Sequence, residues 1–308
     1  MAFRTWRAAM ADALYGPNGF YLAAGAPGRH FRTAAHTSPL WSQAWLRLAQ
    51  RVAEAVGGDE FAVVDMGAGG GELIAGLAMA APPSWRLVGV DLAPRPHELP
   101  ERVEWLASPP DGVVGLIAAV EWLDVVPVDV AERTPGGWRL VEVDESGEER
   151  LGPPAGQADV AWLDRWCPTA DRAEVGWPHD DAWRDLIGRL RRGVAIAVDY
   201  AVDIERHAGG TLTGYRDGRQ VRPIPDGSTD ITAHVHMESC TGTVMTQRDA
   251  LRRLGVDGRV PPYGGDPAAY AAALSEASAA AELLDPDGLG GFGWLVETRG
   301  VALEDCFA

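Results

Sequence analysis

The stretch VVDMGAGGGELIAGL, residues 63–77, decides the fold of this chain. It begins with an apolar run that predicts a buried strand. Three glycines follow, Gly67, Gly69 and Gly71, and an apolar pattern with helical spacing begins at about Glu72. Glycine allows a tight turn and lets the backbone approach a ligand closely. The stretch therefore predicts a strand–turn–helix unit that binds an adenosine-containing cofactor.

Short apolar runs recur outward from this unit. They occupy residues 86–92, 103–107, 115–123 and 193–201 and are separated by helical or polar segments. Continuous apolar strands with crossovers are typical of a parallel sheet that is covered on both faces. The sequence thus predicts an α/β, Rossmann-like fold with a mostly parallel sheet, helices on both faces, and an antiparallel strand near the carboxyl end.

The segments between these runs suggest a domain organisation. A polar stretch at 206–232 has little periodicity, and loops of that length are usually lids or binding loops. Residues 138–151 predict a hairpin that turns at 145–147, and two helices are predicted near 158–166 and 180–192. We expect an N-terminal helical lid at 1–60, a Rossmann-like core at 61–130 and 194–308, and an inserted subdomain, a hairpin plus helices, at 131–193.

Composition excludes several classes of function. The 308 residues include 44 acidic and 27 basic side chains, a net charge of −17, which argues against nucleic-acid and membrane-surface partners. No lysine is present, so Schiff-base and P-loop chemistry are excluded. Three scattered cysteines indicate neither a disulfide framework nor a zinc site. The charged first helix does not resemble a signal peptide, and we expect a cytoplasmic protein.

The spacing of the glycines narrows the choice among adenosine-containing cofactors. Asp91 ends the next strand about 20 residues after Gly71, where a carboxylate can accept hydrogen bonds from ribose hydroxyls. The third glycine of the dinucleotide fingerprint would fall at Glu72 or Ile74, which argues against NAD. Asp65, two residues before the first glycine, is instead typical of S-adenosylmethionine sites, where a carboxylate lies near the ammonium end. A glycine-rich turn without a ligand is the structural alternative.

Four segments together resemble a known family. They are ALYGPNGFY with FRTAAHTSPL (13–21 and 31–40), VVDMGAGGGEL (63–73), AAVEWLDVVPV (118–128) and GGTLTGYR…PDGSTDITAHVHM (209–237). In this order they resemble the MidA-like S-adenosylmethionine-dependent methyltransferases, relatives of the mitochondrial complex I assembly methyltransferase. The resemblance implies a class I methyltransferase fold, S-adenosyl-L-methionine as cofactor, and arginine in a protein as one candidate acceptor.

The cofactor site is expected to draw on the glycine turn, on the strand ends and on the lid. Thr33 and Ser38 could bind the cofactor carboxylate, although Ser38 before Pro39 is also a helix-start signal. The candidate cofactor-binding residues are Thr33, Ser38, Asp65, Gly67, Ala68, Gly69, Gly71, Asp91, Leu92 and Glu121.

Carboxylates that follow two other predicted strands are candidates for catalytic residues. Glu121 and Asp124 could grip a guanidinium through paired charge-assisted hydrogen bonds. Alternatively, Asp124 caps a helix that starts at Val125, and Glu121 only contacts the cofactor. Asp199 ends another strand and either faces the same cleft or caps a loop.

The segment STDITAHVHM adds two more candidates, Asp230 and His234. Either could line an acceptor pocket or make structural polar contacts. His234 and His236 could suggest a metal, but no third ligand is placed by the sequence and methyl transfer of this kind needs none, so we expect no metal ligands. The candidate catalytic residues are Glu121, Asp124, Asp199, Asp230 and His234.

These observations predict an S-adenosylmethionine-dependent methyltransferase. Its acceptor would be a nitrogen or oxygen atom of a protein, a peptide or a small molecule, and a homodimer is left open. The alternative is a non-catalytic assembly or docking factor that uses the same fold. Intact glycines and Asp91 favour an active cofactor site.

Overall fold

A computed structural model describes residues 2–22, 38–201, 209–260 and 262–307. The α-helices in these residues are α1 (Trp6–Tyr15), α2 (Pro39–Val56), α3 (Glu72–Ala78), α4 (Gln157–Trp166), α5 (Trp177–Gly188), α6 (Gln247–Arg253), α7 (Pro267–Leu284) and α8 (Leu303–Phe307). The strands are β1 (Arg4–Thr5), β2 (Ala62–Met66), β3 (Arg86–Val90), β4 (Val103–Leu106), β5 (Val113–Val120), β6 (Asp129–Thr134), β7 (Gly137–Val143), β8 (Glu149–Pro154), β9 (Arg172–Val175), β10 (Leu190–Asp199), β11 (Thr213–Arg216), β12 (Arg219–Val221), β13 (Asp230–Thr232), β14 (Thr243–Thr246) and β15 (Gly293–Arg299).

The chain divides into two compact units, each built from three separate segments. Unit 1 consists of Met1–Phe31, Glu121–Asp185 and Asp199–Thr241. Unit 2 consists of Arg32–Val120, Leu186–Val198 and Gly242–Ala308. Helix α1 therefore belongs to unit 1 and α2 to unit 2.

Unit 2 contains the sheet predicted from the sequence. Seven strands lie in the order β14-β15-β10-β5-β2-β3-β4. The four pairings from β10 to β4 are parallel, whereas β14 pairs antiparallel with β15. The α/β, mostly parallel, Rossmann-like fold with an antiparallel strand near the carboxyl end is thus confirmed.

A tryptophan cluster fills part of the core of unit 2. Trp41 and Trp45, one helical turn apart on α2, are both buried. The ring of Trp45 stacks on that of Trp294 from β15 with centroids 4.9 Å apart, and Trp41 meets Trp294 edge-on at 6.0 Å. Such aromatic pairs contribute about 0.5–1.5 kcal/mol beyond their buried area. They fix α2 against the sheet.

Unit 1 contains two antiparallel sheets. One has the order β1-β7-β6-β9 with β8 paired to β7, and the other has the order β12-β11-β13. The predicted hairpin is confirmed as β7–β8, in which Val143 pairs with Glu149 and Gly147 has a φ of +80°. The buried face of α1, including Trp6 and Met10, packs with apolar residues of β6 and β7.

Some boundaries differ from the sequence prediction. Helix α5 covers Trp177–Gly188 rather than 180–192, because Pro178 suits a helix start and Leu190 already pairs with Val113 of β5. The stretch 206–232, predicted without regular structure, contains β11, β12 and β13. No helix of the described residues is long and apolar enough to cross a membrane.

Candidate functional site

The glycine loop of unit 2, Gly67–Gly71, is fixed at the end of β2. The backbone N–H groups of Gly67 and Ala68 both donate to the carbonyl of Val90, at 2.9 and 3.0 Å. The φ angles of Gly67, Gly69 and Gly71 are +69°, +56° and +79°. L-residues with side chains rarely adopt this left-handed region, so the loop conformation depends on glycine.

Two of these glycines face different surroundings. A Cβ at Gly71 would lie 2.8 Å from Cδ1 of Leu99, so a side chain there would have to displace the Leu99 side chain and also adopt an unfavourable φ. A Cβ at Gly69 would meet nothing within 4 Å. The open space above Gly69 leaves the loop backbone accessible to close approach by a ligand.

Asp91 ties this loop to the end of β3. Its Oδ2 accepts the N–H of Gly69 and its Oδ1 accepts the N–H of Ala93, both at 2.8 Å. A carboxylate oxygen has more than one lone pair, so both oxygens can still accept from hydroxyls. Leu92, the next residue, presents an exposed apolar side chain beside this carboxylate.

Trp105 supports the same strand end, and sequence reasoning missed it. Its Nε1 donates to the carbonyl of Ala93 at 3.0 Å, and its ring fills the space where a side chain at Gly89 would lie. A tryptophan on a short edge strand gives no local signal of this contact, since 12 residues separate it from Ala93.

Asp65 lies inside unit 2 and is only 4% exposed. Burial raises the pKa of its carboxyl to about 7. The backbone N–H of Ile74 donates a hydrogen bond to this carboxyl and so opposes the rise, whereas the negative charges of Glu72 and Asp91 add to it. The carboxyl thus links β2 to the start of α3. A contact between Asp65 and the ammonium group of the cofactor stays a prediction.

Of the two residues predicted to bind the cofactor from the lid, Ser38 and Thr33, the structure describes only Ser38. The Oγ of Ser38 accepts the N–H of Leu40 at 3.1 Å, with Pro39 beginning α2. This is the helix-cap role that the sequence left as the alternative. Thr33 lies outside the described residues.

Unit 1 brings four carboxyl groups together, which we call the acidic cluster: Glu121, Asp124, Asp199 and Asp230. The three aspartates are at most 4% exposed. The pKa of Asp124 is raised well above its usual value by burial first, and then by the negative charges of Asp199, Asp230 and Glu121. Burial also raises the pKa of Asp199 to about 7 and that of Asp230 to about 6.

Asp199 accepts hydrogen bonds from the backbone. Its Oδ2 accepts the N–H groups of Leu123 and Asp124 at 2.9 and 3.2 Å, and its Oδ1 accepts the N–H of Tyr200 at 3.0 Å. These contacts support the loop-capping interpretation of Asp199. They also hold the turn that follows Glu121, whose φ of +50° is uncommon for a residue with a side chain.

Asp124 does not cap a helix. The chain from Val125 makes a turn, closed by the N–H of Val126 donating to the carbonyl of Leu123 at 3.0 Å, and β6 follows. Pro127 disfavours a helical conformation at the preceding residue, Val126, which explains why no helix forms here. Oδ1 of Asp124 is buried and has no hydrogen-bond partner within the described residues.

His234 and His236 lie in different surroundings. The ring of His234 stacks on Tyr200 with centroids 5.3 Å apart, and the backbone N–H of His234 donates to Oγ1 of Thr211 at 2.9 Å. His236 is buried against Trp162 and Trp166. Among the described residues, no group of three or more His, Cys, Asp or Glu side chains is arranged to hold a metal ion.

Aromatic hydroxyls also belong to the surroundings of the acidic cluster. The sequence indicated Tyr200, which follows Asp199, but it did not single out Tyr21 or Tyr215. Tyr21 donates to Asp230. The pKa of Tyr200 is raised by burial and by Glu121, and that of Tyr215 by burial and by Asp124. These tyrosines are distant from each other along the chain, so only the fold brings them together.

Comparison with known proteins bears on the class of enzyme. A family model described as "Putative S-adenosyl-L-methionine-dependent methyltransferase" matches residues 87–254, more than half of the chain. No protein with a curated description matches the chain.

Two crystal structures from Burkholderia thailandensis are similar to it, each at 25% identity over 99% of this chain and 90% of the other. The first, a "likely methyl transferase" bound to S-adenosyl-homocysteine, has a TM-score of 0.80. The second, a native structure of an uncharacterised protein, has a TM-score of 0.78.

The glycine loop fits such a cofactor. Gly69 leaves its backbone open, and Asp91 offers carboxylate oxygens at the adjacent strand end, as a ribose requires. The family match and the bound product in the similar structure agree with this chemistry. The chain belongs to this family of S-adenosyl-L-methionine-dependent methyltransferases, and S-adenosyl-L-methionine is its cofactor.

Proposed function

We propose that the enzyme methylates a nitrogen atom of a positively charged group, with the guanidinium of a protein or peptide arginine as the preferred acceptor. The glycine loop with Asp91 would hold the cofactor, and the acidic cluster would hold the acceptor. The main support for this proposal is the buried Oδ1 of Asp124 in the acidic cluster, which has no hydrogen-bond partner in the part of the chain that the structure describes.

Charge is the main support for a cationic acceptor. Within the described residues, the hydrogen bonds to Asp199 and Asp230 come from backbone N–H groups and from the hydroxyl of Tyr21, which are neutral donors. Buried carboxylates that lack a counter-charge are costly, and a cation within about 4–6 Å removes much of that cost. A guanidinium also matches carboxylates geometrically, since it donates two parallel hydrogen bonds.

The acidic cluster could also assist the reaction. When bound, the cofactor supplies an electrophilic methyl group on a sulfonium. The carboxylates would orient the guanidinium so that one nitrogen presents its lone pair, and one of them would accept the proton that this nitrogen loses. Glu121, less buried than the aspartates and next to Asp124 in the cluster, is our candidate for that proton.

Mass spectrometry can test the acceptor directly. The full-length enzyme would be incubated with deuterated-methyl S-adenosylmethionine and three peptides that differ only in one residue: arginine, glutamine or glutamate. We expect a methyl mass gain on the arginine peptide alone. A gain on the glutamate peptide would contradict a cationic acceptor, and no gain on any peptide would favour a small-molecule acceptor or the docking alternative.

Glu121→Gln separates an acceptor role from a cofactor role. The change keeps the shape of the side chain but removes its charge, so we expect turnover to fall by about 10²-fold or more. Cofactor affinity, measured by calorimetry with S-adenosylhomocysteine, should change only a few-fold. Loss of cofactor affinity with unchanged turnover of the saturated enzyme would instead make Glu121 a cofactor ligand.

Gly69→Ala tests the cofactor face of the loop, with Gly112→Ala as its matched control. Both glycines have positive φ angles, +56° and +69°, and a Cβ on either meets nothing within 4 Å. Each change should therefore cost a similar amount of stability, about 1 kcal/mol. Only Gly69→Ala should weaken S-adenosylhomocysteine binding in calorimetry, by about tenfold. Equal affinities in the two variants would remove Gly69 from the cofactor site.

We also propose that the enzyme works in the cytoplasm. Its three cysteines are free thiols, which agrees with a reducing compartment. The homodimer considered from the sequence stays a prediction.

A further inference from the structure

The N-terminal segment contributes a phenol to the acidic cluster. Tyr21, in the short 3-10 helix Phe20–Leu22, donates its hydroxyl to Oδ1 of Asp230 at 2.8 Å. These two residues are 209 positions apart in the sequence. The ring of Tyr21 stacks on Tyr15 with centroids 5.6 Å apart and meets Phe20 edge-on at 5.3 Å. Packing therefore fixes the direction of this hydroxyl.

We infer that Tyr21 is a positioning residue for acceptor binding: its hydroxyl fixes the orientation of the Asp230 carboxylate and holds it in the ionised form that a cation requires. The inference rests on the proposed function, because it assumes that the acidic cluster receives the acceptor. Tyr21 itself would act through Asp230 and need not touch the acceptor.

The charges around Asp230 explain why such a donor is needed. In the part of the chain that the structure describes, the titratable groups that face it are Tyr21 from the N-terminal segment, Asp124 from the turn after β5 and Tyr215 from β11. Burial raises the pKa of Asp230, while hydrogen bonds from Tyr21 and from the N–H of Ile231 lower it. Without the Tyr21 hydroxyl, one of the two hydrogen bonds that lower the pKa of Asp230 is lost.

Tyr21 is suited to remain a donor. Its pKa is raised well above the usual value by burial and by the negative charge of Asp230, so the hydroxyl keeps its proton at neutral pH. Tyr21 can therefore stay protonated while Asp230 is ionised at neutral pH. Protonation of Asp230 would remove its charge toward a cation.

Tyr15→Phe provides a matched control for Tyr21→Phe. Both tyrosines belong to the same stacked pair, but the hydroxyl of Tyr15 donates to the carbonyl of Val125 at 3.0 Å rather than to a carboxylate. Either change keeps the ring and removes one hydroxyl. Only Tyr21→Phe should alter the ionisation of Asp230.

The first measurement is the pKa of Asp230 itself. Aspartate carboxyl groups would be labelled with carbon-13, the Asp230 signal assigned with Asp230→Asn, and each variant titrated by NMR. A hydrogen bond to a charged group is worth enough to shift a pKa by about one unit or more, so we expect that rise in Tyr21→Phe. Tyr15→Phe should leave it unchanged. An unchanged pKa in Tyr21→Phe would overturn the inference.

The second measurement uses methylguanidinium as the probe, with binding followed by NMR at pH 6.5 and pH 8.5. We expect Tyr21→Phe to weaken binding at least threefold at pH 6.5 and much less at pH 8.5, whereas Tyr15→Phe binds like the parent chain. Equal weakening at both pH values would indicate only lost packing and would overturn the inference. If the parent chain binds no methylguanidinium while the pKa of Asp230 does shift, the acceptor proposal fails rather than the Tyr21–Asp230 link.

Discussion

Asp124→Asn should lower methyl transfer to a cationic acceptor by about 10²-fold or more, and at the same time stabilise the folded chain above neutral pH. The loss of activity follows from removing a buried carboxylate of the acidic cluster, one oxygen of which has no hydrogen-bond partner within the described residues. The gain in stability follows from its surroundings, because a buried carboxylate beside Asp199, Asp230 and Glu121 is repelled by all three. Stored unfavourable charge of this kind is typical of functional sites.

The pH dependence of this stability effect has a definite sign. A carboxyl group whose pKa is raised by folding costs nothing below its unfolded pKa of about 3.9, and its destabilising effect grows as pH rises from that value toward the folded pKa. The difference between Asp124→Asn and the parent chain should therefore be small near pH 4 and should grow toward pH 8. Calorimetric melting at pH 8 should show a rise in Tm of at least about 2 °C.

Asp144→Asn is a control with the opposite expected sign. Oδ1 of Asp144 accepts the N–H groups of Ser146 and Glu148 and the hydroxyl of Ser146, and its pKa is lowered chiefly by the side chain of Ser146. Its contribution to stability is present above about pH 3.9 and is lost in acid. If both asparagine variants shift Tm in the same direction at pH 8, the repulsion argued for Asp124 is absent.

Asp91→Ala should weaken binding of S-adenosylmethionine and S-adenosylhomocysteine by at least tenfold. The change removes a carboxylate that would accept charge-assisted hydrogen bonds from the ribose, each worth about 1.5–3 kcal/mol. It also removes the acceptor of the Gly69 N–H, which fixes the glycine loop. Calorimetry on the folded variant would give the affinity directly.

Asp285→Ala is the matched control for Asp91→Ala. Oδ1 of Asp285 accepts the N–H of Asp287 at 3.1 Å, which is the same local pattern as that between Asp91 and Ala93. Asp285→Ala should loosen the local backbone of unit 2 about as much as Asp91→Ala does, but it should leave cofactor affinity unchanged. Tighter binding of NAD than of S-adenosylhomocysteine by the parent chain would contradict the assignment of Asp91.

The glycine loop was predictable because its determinants are local. Strand, turn and helix follow one another within residues 62–78, and each has its own signal in the sequence. The parallel sheet followed from the same kind of reasoning, since its strands are short continuous apolar runs. Gly71 shows the limit of that reasoning, because its contact with Leu99 becomes visible only in the fold.

One missed element did have a signal. Strands β11 and β12 are joined at Asp217–Gly218, with Arg216 paired to Arg219 and both turn residues at positive φ. An Asp-Gly pair between two short strands is a strong hairpin signal. We missed it because the surrounding stretch is rich in polar residues and lacks a long alternating pattern.

Other features could not be found locally. Strand β9 pairs with β6 about 40 residues away, and both strands carry charged residues such as Arg172 and Glu132, which form an ion pair at 2.7 Å. Neither strand is apolar enough to be recognised alone. The acidic cluster is similar: each carboxylate could be proposed from its place after a strand, but the contact between Tyr21 and Asp230 depends on the whole fold.

The position of β15 has a consequence for synthesis of the chain. β15 comes last in the sequence but lies between β14 and β10 in the sheet. Until residues 293–299 have left the ribosome, β14 has no partner and one edge of β10 is unpaired. Long-range pairings of this kind slow folding and expose strand edges. The nascent chain must therefore extend beyond residue 299 before unit 2 can close, and a ribosome stalled earlier would carry an open, aggregation-prone sheet.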